Sequence, residues 1–491
     1  HATLHQTMAW TYRLLDAGAQ QLLRTVGVFS GGFTPAAIDN VHATVTGGKT
    51  EEAARYLRTL INFSLVQRMD GQGVDTRFIV LETIRQFAGQ LLQESGLAEV
   101  TQRAHAAYFL ALAQSAEGET LHLGVHPQLA LLDADDDNLR AALSWSLAQG
   151  EQEIALRLGV ALGGYWITRS RLREGAQWLG KLLHLSRCPE FPQVNARLHV
   201  YLGRLYEMLG DYPRSRALLE RGLALARATN DPTEIALALS YLGITTRTMG
   251  ESATARAFHQ ESADLYAALD DRYGLVMAVK DIGLCDVMQA RYDAAELRFT
   301  EAWRLSTQLN DAFIDAYLLG KLGHAVLMQE RTAEAKELLG GSIDRFRSLK
   351  PFEEFSAMIH ILHGQALLAE GEADAALAST RAGLRIWAAT DTFWGTVFAL
   401  SACARIMAER GRLTEAWRLV AFATHAMEQS GAALHSMHQG FHNHVQTQVR
   451  AVLDETAAAA WQAGTHMTLQ DALRIAFAEP ETNREHHERP A

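Results

Sequence analysis

Residues 202–215 read LGRLYEMLGDYPRS and contain the three marks that decide the fold. A small residue, Gly203, is followed seven residues later by the turn Gly210-Asp211, and five residues further on by a second small residue, Ser215. The first mark recurs every 39 to 41 residues, at Gly164, Gly203, Gly243, Gly283, Gly323, Gly364 and Ala404, and the second at Ala176, Ser215, Ala255, Ala295, Ala335, Ala376 and Ala416. Small residues let two helices approach closely, and this period is typical of stacked helix pairs. The sequence therefore predicts an all-α solenoid superhelix whose concave face binds a ligand.

The composition is that of a folded, helix-rich protein. Of the 491 residues, 48% are apolar and 21% are charged, and only nine are prolines. The formal net charge of −11 argues against a sequence-independent grip on nucleic acid, which needs clustered Lys and Arg. The three cysteines are far apart, and no apolar run is long enough to cross a bilayer, so we expect a cytoplasmic protein without a membrane partner. Because the first residue is His1 and not Met, we expect a piece of a longer protein.

The first 95 residues have a different pattern from the rest. Thr34-Pro35 looks like an N-cap followed by proline at the first helical position, and a further helix is expected from Glu51 to about Phe63. Two short alternating runs, 64–69 and 77–81, flank the turn-rich segment 70–75, and 83–93 is again helical. Helices followed by a hairpin predict a small winged-helix domain over residues 1–95.

The charges of this domain oppose DNA binding. It carries eight Lys/Arg and eight Asp/Glu, and the helix that would enter a groove opens with Glu51-Glu52 and offers only Arg55 and Arg58. DNA binding depends strongly on neutralising phosphates. We therefore expect no direct contact with nucleic acid, although a DNA-binding transcription factor stays an alternative.

Several motifs along the chain resemble one protein family. They read VFSGGF at 28–33, LETIRQFA at 81–88, RAHAAYF at 103–109 and DNLRAAL at 137–143, and the similarity reaches the tail at 457–461 and 469–472. These motifs are similar to those of bacterial STAND regulators, the signal-transduction ATPases with numerous domains, of the maltose-regulator and AfsR-like type. The resemblance implies that the winged helix packs on a bound nucleotide and locks the resting state, and that it does not read DNA.

The same resemblance implies that ATP or ADP is bound by a module upstream of this chain. Thr46–Thr50 looks like the end of a phosphate-binding loop, but Ala43 stands where the full loop needs a glycine. We therefore expect no cofactor and no catalytic residue in this chain, whereas the full-length protein is expected to be an ATPase.

Residues 96–150 read as helices without the small-residue register and correspond, by resemblance, to the arm of those regulators. Segment 117–126 is predicted to be a loop or hinge. The repeats then form a tetratricopeptide-like (TPR-like) sensor domain over 151–475, followed by a disordered tail at 476–491. Helix caps are predicted where acids or amides precede the first helices, at Asn230-Asp231, Asp271, Asn310-Asp311 and Asp391, with Pro351 in one repeat.

The first helix of each pair should line the concave face through three positions: three before, one after and four after its small residue. Polar residues at these positions, with one residue a further turn back, are Arg197, Arg204, Glu207, Ser240, Arg247, Lys280, His324, Gln365, Ser401 and Arg405. Their excess of positive charge suits an anionic small molecule or an acidic peptide segment. The alternative is a solvated groove with internal salt bridges, for example between Arg204 and Glu207.

Two clusters look like metal sites, but neither predicts a bound metal. Residues 133–138 resemble the start of a calcium loop, yet Asn138 and Ser144 stand where glycine and glutamate are required, and the acids suit a helix N-terminus. His435, His438 and His442 share one helical face within a group of five histidines from 425 to 444. No carboxylate or cysteine lies between His435 and His442, so a zinc or nickel site would have to be all-imidazole or borrow ligands.

These observations predict the sensor and autoinhibitory portion of a STAND-type signalling ATPase. An inducer, either a small molecule or a protein, binds in the superhelix, and contacts of the winged helix and the sensor control the upstream nucleotide-binding module. The alternatives are part of a DNA-binding transcription factor and a constitutive TPR scaffold for a protein partner.

Overall fold

The computed structural model describes residues 2–48, 52–69, 76–120, 127–184, 191–349, 352, 355–389, 393–430, 436–452 and 456–478. Packing divides the chain into two units, His1–Asp271 and Arg272–Ala491. Apart from one small hairpin, the regular structure in these ranges is helical. The predicted all-α solenoid with a small N-terminal hairpin is therefore confirmed.

The first unit opens with the winged-helix elements. They are α1 (Ala2–Leu14), α2 (Ala17–Val26), α3 (Pro35–Thr46), α4 (Glu52–Asn62), β1 (Gln67–Met69), β2 (Arg77–Ile79) and α5 (Glu82–Glu94). The two strands pair antiparallel, with Arg68 opposite Phe78. Thr34 caps α3 by accepting a hydrogen bond from the backbone N–H of Ala37, as the Thr-Pro pair predicts. Leu22, Phe33 and Ile38 form the centre of its core.

Three arm helices follow, namely α6 (Ala98–Thr120), α7 (Pro127–Ala134) and α8 (Asp136–Gln149). The hinge predicted from residue 117 is wrong for its first part, because α6 continues to Thr120. Near the end of α6, Ala113 and Ala116 are buried, and Glu117 forms an ion pair with Arg197. Packing and a salt bridge therefore both hold this part of the helix in place. Residues 121–126 of the predicted hinge lie outside the described residues.

The repeats of the first unit then begin. Its helices are α9 (Gln152–Ala161), α10 (Gly163–Thr168), α11 (Leu172–Leu183), α12 (Pro192–Met208), α13 (Tyr212–Ala228), α14 (Pro232–Thr248) and α15 (Ser252–Ala268). α12 packs on α13 and α14 packs on α15, and α13 joins the two pairs by packing on α14. In the first repeat, Leu162 separates α9 from α10.

The second unit continues the same pattern. Its paired helices are α16 (Arg272–Met288), α17 (Tyr292–Ser306), α18 (Ala312–Leu327), α19 (Thr332–Arg347), α20 (Ala357–Ala369), α21 (Ala373–Ala389), α22 (Phe393–Glu409) and α23 (Leu413–Ser430). Three further helices, α24 (Ser436–Val452), α25 (Thr456–Thr465) and α26 (Leu469–Phe477), pack on the last pair. Residues 476 and 477 of the predicted tail therefore belong to a helix, while 479–491 lie outside the described residues.

The small residues lie where the two helices of a pair come closest. A Cβ atom at Gly323 would stand 2.7 Å from Cγ of Leu339, and one at Gly283 would stand 2.7 Å from Cε1 of Phe299. Gly203 meets Leu219 in the same way. In each case the partner comes sixteen residues later, on the second helix of the pair. The repeated small residue thus fixes the separation of the helices.

The caps predicted at Asp231 and Asp311 are confirmed. Asp231 accepts hydrogen bonds from the backbone N–H groups of residues 233 and 234, and Asp311 does the same for residues 313 and 314. The predictions made on 49–50, 70–75, Pro351, Asp391 and His435 lie outside the described residues.

Candidate functional site

The second unit contains a groove of about 1140 Å³. Its walls come mainly from the first helices of four pairs and from α24. The lining residues are Val287, Met288, Ala290, Tyr292, His324, Leu327, Met328, Glu330, Thr332, Leu362, Gln365, Ala369, Arg405, Gly440, Phe441 and His444. Three of the predicted site residues, His324, Gln365 and Arg405, are brought together here. A groove of this size and mixed lining is suited to a small ligand.

The repeat explains why these side chains meet. His324, Gln365 and Arg405 each follow the small residue of their helix by one position, and Val287 and Leu327 follow theirs by four. Because the helices are related by the repeat, equivalent positions on successive first helices line one wall.

The position three before the small residue faces elsewhere. Ile361 and Ser401 are fully buried at this position, and Ser401 donates to the carbonyl oxygen of Val397 at 3.1 Å. Lys280 is also buried, and its Nζ lies 3.0 Å from Oδ1 of Asp281. Neither Lys280 nor Ser401 is among the residues that line the groove.

Arg405 and Gln365 form a polar corner of the groove. Nη1 of Arg405 donates to Oε1 of Gln365 at 2.5 Å, and the centroid of the Phe441 ring lies 5.7 Å from the guanidinium carbon. Burial lowers the pKa of Arg405, because the charged form is taken out of water. In the described ranges no carboxylate forms an ion pair with this arginine.

The histidine cluster contributes to the groove in a way that the sequence analysis missed. His444 lines the groove, and its Nε2 lies 2.5 Å from Oε1 of Glu409. His442 lies behind the wall, with Nε2 3.2 Å from Oγ of Ser401. The concentration of histidines was the sequence feature that pointed to this region. Their partners, Glu409 and Ser401, could not be identified because they are distant in sequence. Among the residues that the structure describes, no group of three His, Cys, Asp or Glu is arranged to hold a metal ion.

Two predicted arginines of the first unit, Arg197 and Arg204, are paired with carboxylates. Nη1 of Arg197 lies 2.6 Å from Oε1 of Glu117 on α6, and the same guanidinium pairs with buried Glu234 on α14. Arg204 pairs with Glu207, as the salt-bridge alternative anticipated. These carboxylates reduce the attraction of the first unit for an anion.

The neighbourhood of Arg204 also contains a partly buried tyrosine. The Arg204 guanidinium lies 5.4 Å from the ring centroid of Tyr241, which packs beneath it. Burial raises the pKa of Tyr241, so its hydroxyl stays neutral.

Ser240 and Arg247 complete the predicted set in the first unit. The hydroxyl of Ser240 lies 2.9 Å from that of Ser262 on α15, so it joins the two helices of a pair. Nε of Arg247 is buried and has no hydrogen-bond partner among the described residues. Among the predicted arginines of this unit, Arg247 is the one for which the described residues form no ion pair.

A second group of contacts that the sequence analysis missed joins the arm to the winged helix. Nη2 of Arg77 on β2 lies 2.8 Å from Oδ1 of Asp135, and fully buried Asn138 bonds to the backbone of the loop after α2. Asp133 and Asp136, from the sequence that resembled a calcium loop, pair with Arg169 and Arg171. The arm acids are thus engaged by arginines.

Part of the chain is similar in sequence to proteins named as transcriptional regulators. No known protein-family profile matches the chain. Over 247 residues the chain is 34% identical to the protein named "Putative HTH-type transcriptional regulator Rv0890c" of Mycobacterium tuberculosis, and a counterpart in Mycobacterium bovis matches equally. The match covers 48% of this chain and 27% of each relative, so the chain spans about a quarter of the length of the relatives it matches.

Among solved structures, a STAND protein with a tetratricopeptide repeat sensor from Pyrococcus horikoshii is similar in fold. The similarity covers 91% of this chain and 66% of that one, with a TM-score of 0.50 at 12% identity. The resemblance to STAND regulators with a TPR sensor, predicted from the sequence, is therefore confirmed at the level of the fold. In the described ranges, none of the helices combines the length and the apolar character needed to cross a membrane.

Proposed function

We propose that the chain is the sensor portion of a STAND-type regulator and that it binds its inducer in the groove of the second unit. The observation that carries this proposal is a groove of about 1140 Å³ whose wall holds Arg405 without a carboxylate partner in the described ranges. By contrast, two other predicted cations, Arg197 and Lys280, form ion pairs with carboxylates and do not line this groove.

The regulated element is proposed to be a nucleotide-binding module upstream of the winged helix. In the resting state the winged helix and the sensor hold that module closed, and the inducer releases it. An inducer can shift this balance only by binding the two states with different affinities. ATP or ADP would bind to the upstream module and not to this chain.

The contacts of the arm favour a structural role for the winged helix over DNA binding. Arg77 and the loop before α3 are held by Asp135 and Asn138 in the same unit. The helix that would enter a DNA groove, α4, carries only Arg55 and Arg58 as cations. DNA binding is therefore the weaker candidate.

The test is the thermal stability of the chain in the presence of lysate fractions from its host, separated into small molecules and macromolecules. A ligand at one hundred times its dissociation constant should stabilise the chain by about 2.7 kcal/mol, which gives a clear rise in Tm. We expect this rise with the small-molecule fraction.

Two matched variants locate the binding site. Arg405→Gln should reduce the rise by about half or more, whereas Arg247→Gln, at an arginine of the other unit, should preserve it. A rise only with macromolecules would favour a protein partner, and a salt-sensitive gel shift with DNA would favour the DNA-binding alternative. If no fraction stabilises the chain, the sensor proposal fails.

A further inference from the structure

The polar corner of the groove contains a buried amide donor that no described residue accepts from. Oε1 of Gln365 is occupied by Arg405 at 2.5 Å, but the other end of this amide, Nε2, is buried and donates to no group in the described part of the chain. A buried donor without an acceptor destabilises a protein. An acceptor from a ligand would complete the corner.

Arg405 forms no ion pair with any described residue, although the nearby charge of Glu409 partly offsets the lowering of its pKa by burial. Glu409, one turn further along α22, accepts hydrogen bonds from Nε2 of His444 at 2.5 Å and from Nε2 of Gln448 at 2.9 Å. These two side chains occupy Oε1 of Glu409, and no ion pair joins Glu409 to Arg405 in the described part of the chain. The guanidinium can therefore accept a further anionic partner. A partly buried guanidinium in this state favours an anion, and its planar fork matches a carboxylate.

The remaining groove charge is small. Lys280, the other cation predicted for this unit, is paired with Asp281 and does not line the groove. Glu330 is the one carboxylate among the described lining residues, and it lies exposed at the end of α18. A single anionic group next to Arg405 is thus compatible with the groove, whereas a second one toward Glu330 would be repelled.

Most of the remaining wall is apolar. Val287, Leu327, Met328 and Leu362 contribute aliphatic or thioether side chains, and Phe441 adds a ring beside Arg405. Burying an apolar body here is favourable in proportion to the area removed from water. The volume of about 1140 Å³ is far larger than a carboxylate alone would fill.

We propose that the groove binds a small amphipathic monocarboxylate. Its carboxylate accepts hydrogen bonds from the guanidinium of Arg405, and its apolar body lies along Leu327 and Leu362. Gln365 is a positioning residue that holds the guanidinium. This inference rests on the proposed function, since it names the class of ligand for the same groove.

The experiment is calorimetric titration of the whole chain with matched probes. Octanoate and 4-phenylbutyrate carry the acid, while 1-octanol and octylammonium keep an eight-carbon body without it. We expect both acids to bind more tightly than 1-octanol and octylammonium to bind least. Arg405→Gln should weaken binding of the acids by about 10- to 100-fold and leave 1-octanol unchanged, because only the charged hydrogen bonds are lost.

Two further variants make this result specific. Arg405→Lys keeps the charge without the fork, so it should bind the acids with intermediate affinity, and it replaces Arg405→Gln if that variant does not fold. Arg247→Gln should bind like the unaltered chain. Equal binding of acids and 1-octanol, or acid binding that is indifferent to Arg405, would overturn the proposal.

A lysate experiment separates this inference from the proposed function. The stabilising activity should pass into ethyl acetate at pH 2 and return to water at pH 9, as a lipophilic acid does. A stabilising compound that stays in water at both pH values would refute the monocarboxylate while preserving a sensor function. Failure of every fraction would refute both.

Discussion

Asn138 is bonded to Gly32 across the boundary between the arm and the winged helix. Nδ2 of Asn138 donates to the carbonyl oxygen of Gly32 at 2.8 Å, and its Oδ1 accepts from the backbone N–H of Ser30 at 2.7 Å. Gly32 has a φ of +105°, and a Cβ there would lie 2.7 Å from the carbonyl oxygen of Phe78. The buried amide of Asn138 thus holds a loop whose conformation requires glycine at position 32.

Replacing Asn138 by alanine should therefore weaken the first unit. The backbone N–H of Ser30 and the carbonyl of Gly32 would lose their partner inside the protein, which costs about 3 kcal/mol in total. We expect a lower free energy of unfolding in urea and faster hydrogen exchange at residues 28–34.

Asn40→Ala is the matched control, because Asn40 is exposed on α3 of the same unit. It should change the free energy of unfolding by less than about 0.5 kcal/mol. Equal effects of the two variants would mean that the amide of Asn138 does not hold the loop.

His105 should make the first unit sensitive to acid. Its ring lies between Phe29 and Phe109, with centroid distances of 5.1 and 4.6 Å, and burial lowers its pKa to about 4. The unfolded chain, with a His pKa of about 6.5, binds this proton more readily than the folded chain. The stabilising contribution is therefore fully present above pH 6.5 and is lost as the pH falls toward 4.

Between pH 7 and pH 5 this single group should cost about 2 kcal/mol of stability. His105→Gln cannot take up the proton, so its free energy of unfolding should fall less over the same interval. Urea titrations at both pH values measure the difference. His184→Gln, at an exposed histidine of the same unit, should behave like the unaltered chain, and an unchanged pH dependence in His105→Gln would contradict this account.

The sequence predicted those features that depend on local rules. The spacing of Gly203, Gly283 and Gly323 reports a contact sixteen residues away, within one helix pair, so a single sequence reveals it. The caps at Asp231 and Asp311 involve backbone groups two or three residues away. These features repeat, and repetition makes them visible.

The charge state of the concave face could not be predicted in the same way. Arg197 and Arg405 are equally cationic in the sequence, but Arg197 meets Glu117, 80 residues away, and Arg405 meets a neutral amide. Whether an arginine is paired with a carboxylate thus depends on residues that are distant in sequence, such as Glu117 on α6. The contribution of Phe441 to the groove also depends on packing that no periodicity reports.

Arg381 should hold the last helix of the second unit. Its Nε donates to the carbonyl oxygen of Ala476 and its Nη2 to that of Ala478, both at 2.7 Å. The final carbonyls of a helix have no partner within it, so the arginine supplies the missing donors and complements the negative end of the helix dipole.

In Arg381→Met the Ala476 carbonyl loses this donor, whereas the Ala478 carbonyl keeps the hydrogen bond from Nη1 of Arg412 at 3.1 Å. The local opening free energy of α26 should therefore fall by about 2 kcal/mol. Hydrogen exchange at residues 469–477 should become about 30-fold faster. The control is Arg347→Met, since this arginine is exposed and pairs with nearby Asp344. Equal exchange of α26 in both variants would show that Arg381 does not anchor it.

Gly323 and Gly340 provide a matched pair on the two helices of one repeat. A methyl group at Gly323 would come within 2.7 Å of Leu339, whose side chain is fully buried, whereas one at Gly340 would meet only Nε2 of His363 at 3.5 Å. Alanine favours a helix over glycine by about 1 kcal/mol at either site. At Gly323 overpacking of about 1–3 kcal/mol opposes this gain.

We therefore expect Gly323→Ala to lower the free energy of unfolding of the second unit by up to about 2 kcal/mol. Gly340→Ala should raise it by up to about 1 kcal/mol. Urea unfolding of the two variants, followed by circular dichroism, compares the same chemical change in opposite environments. Stabilisation by both substitutions would mean that the helices of this pair can separate to admit the methyl group, and the small residue would then not set their distance.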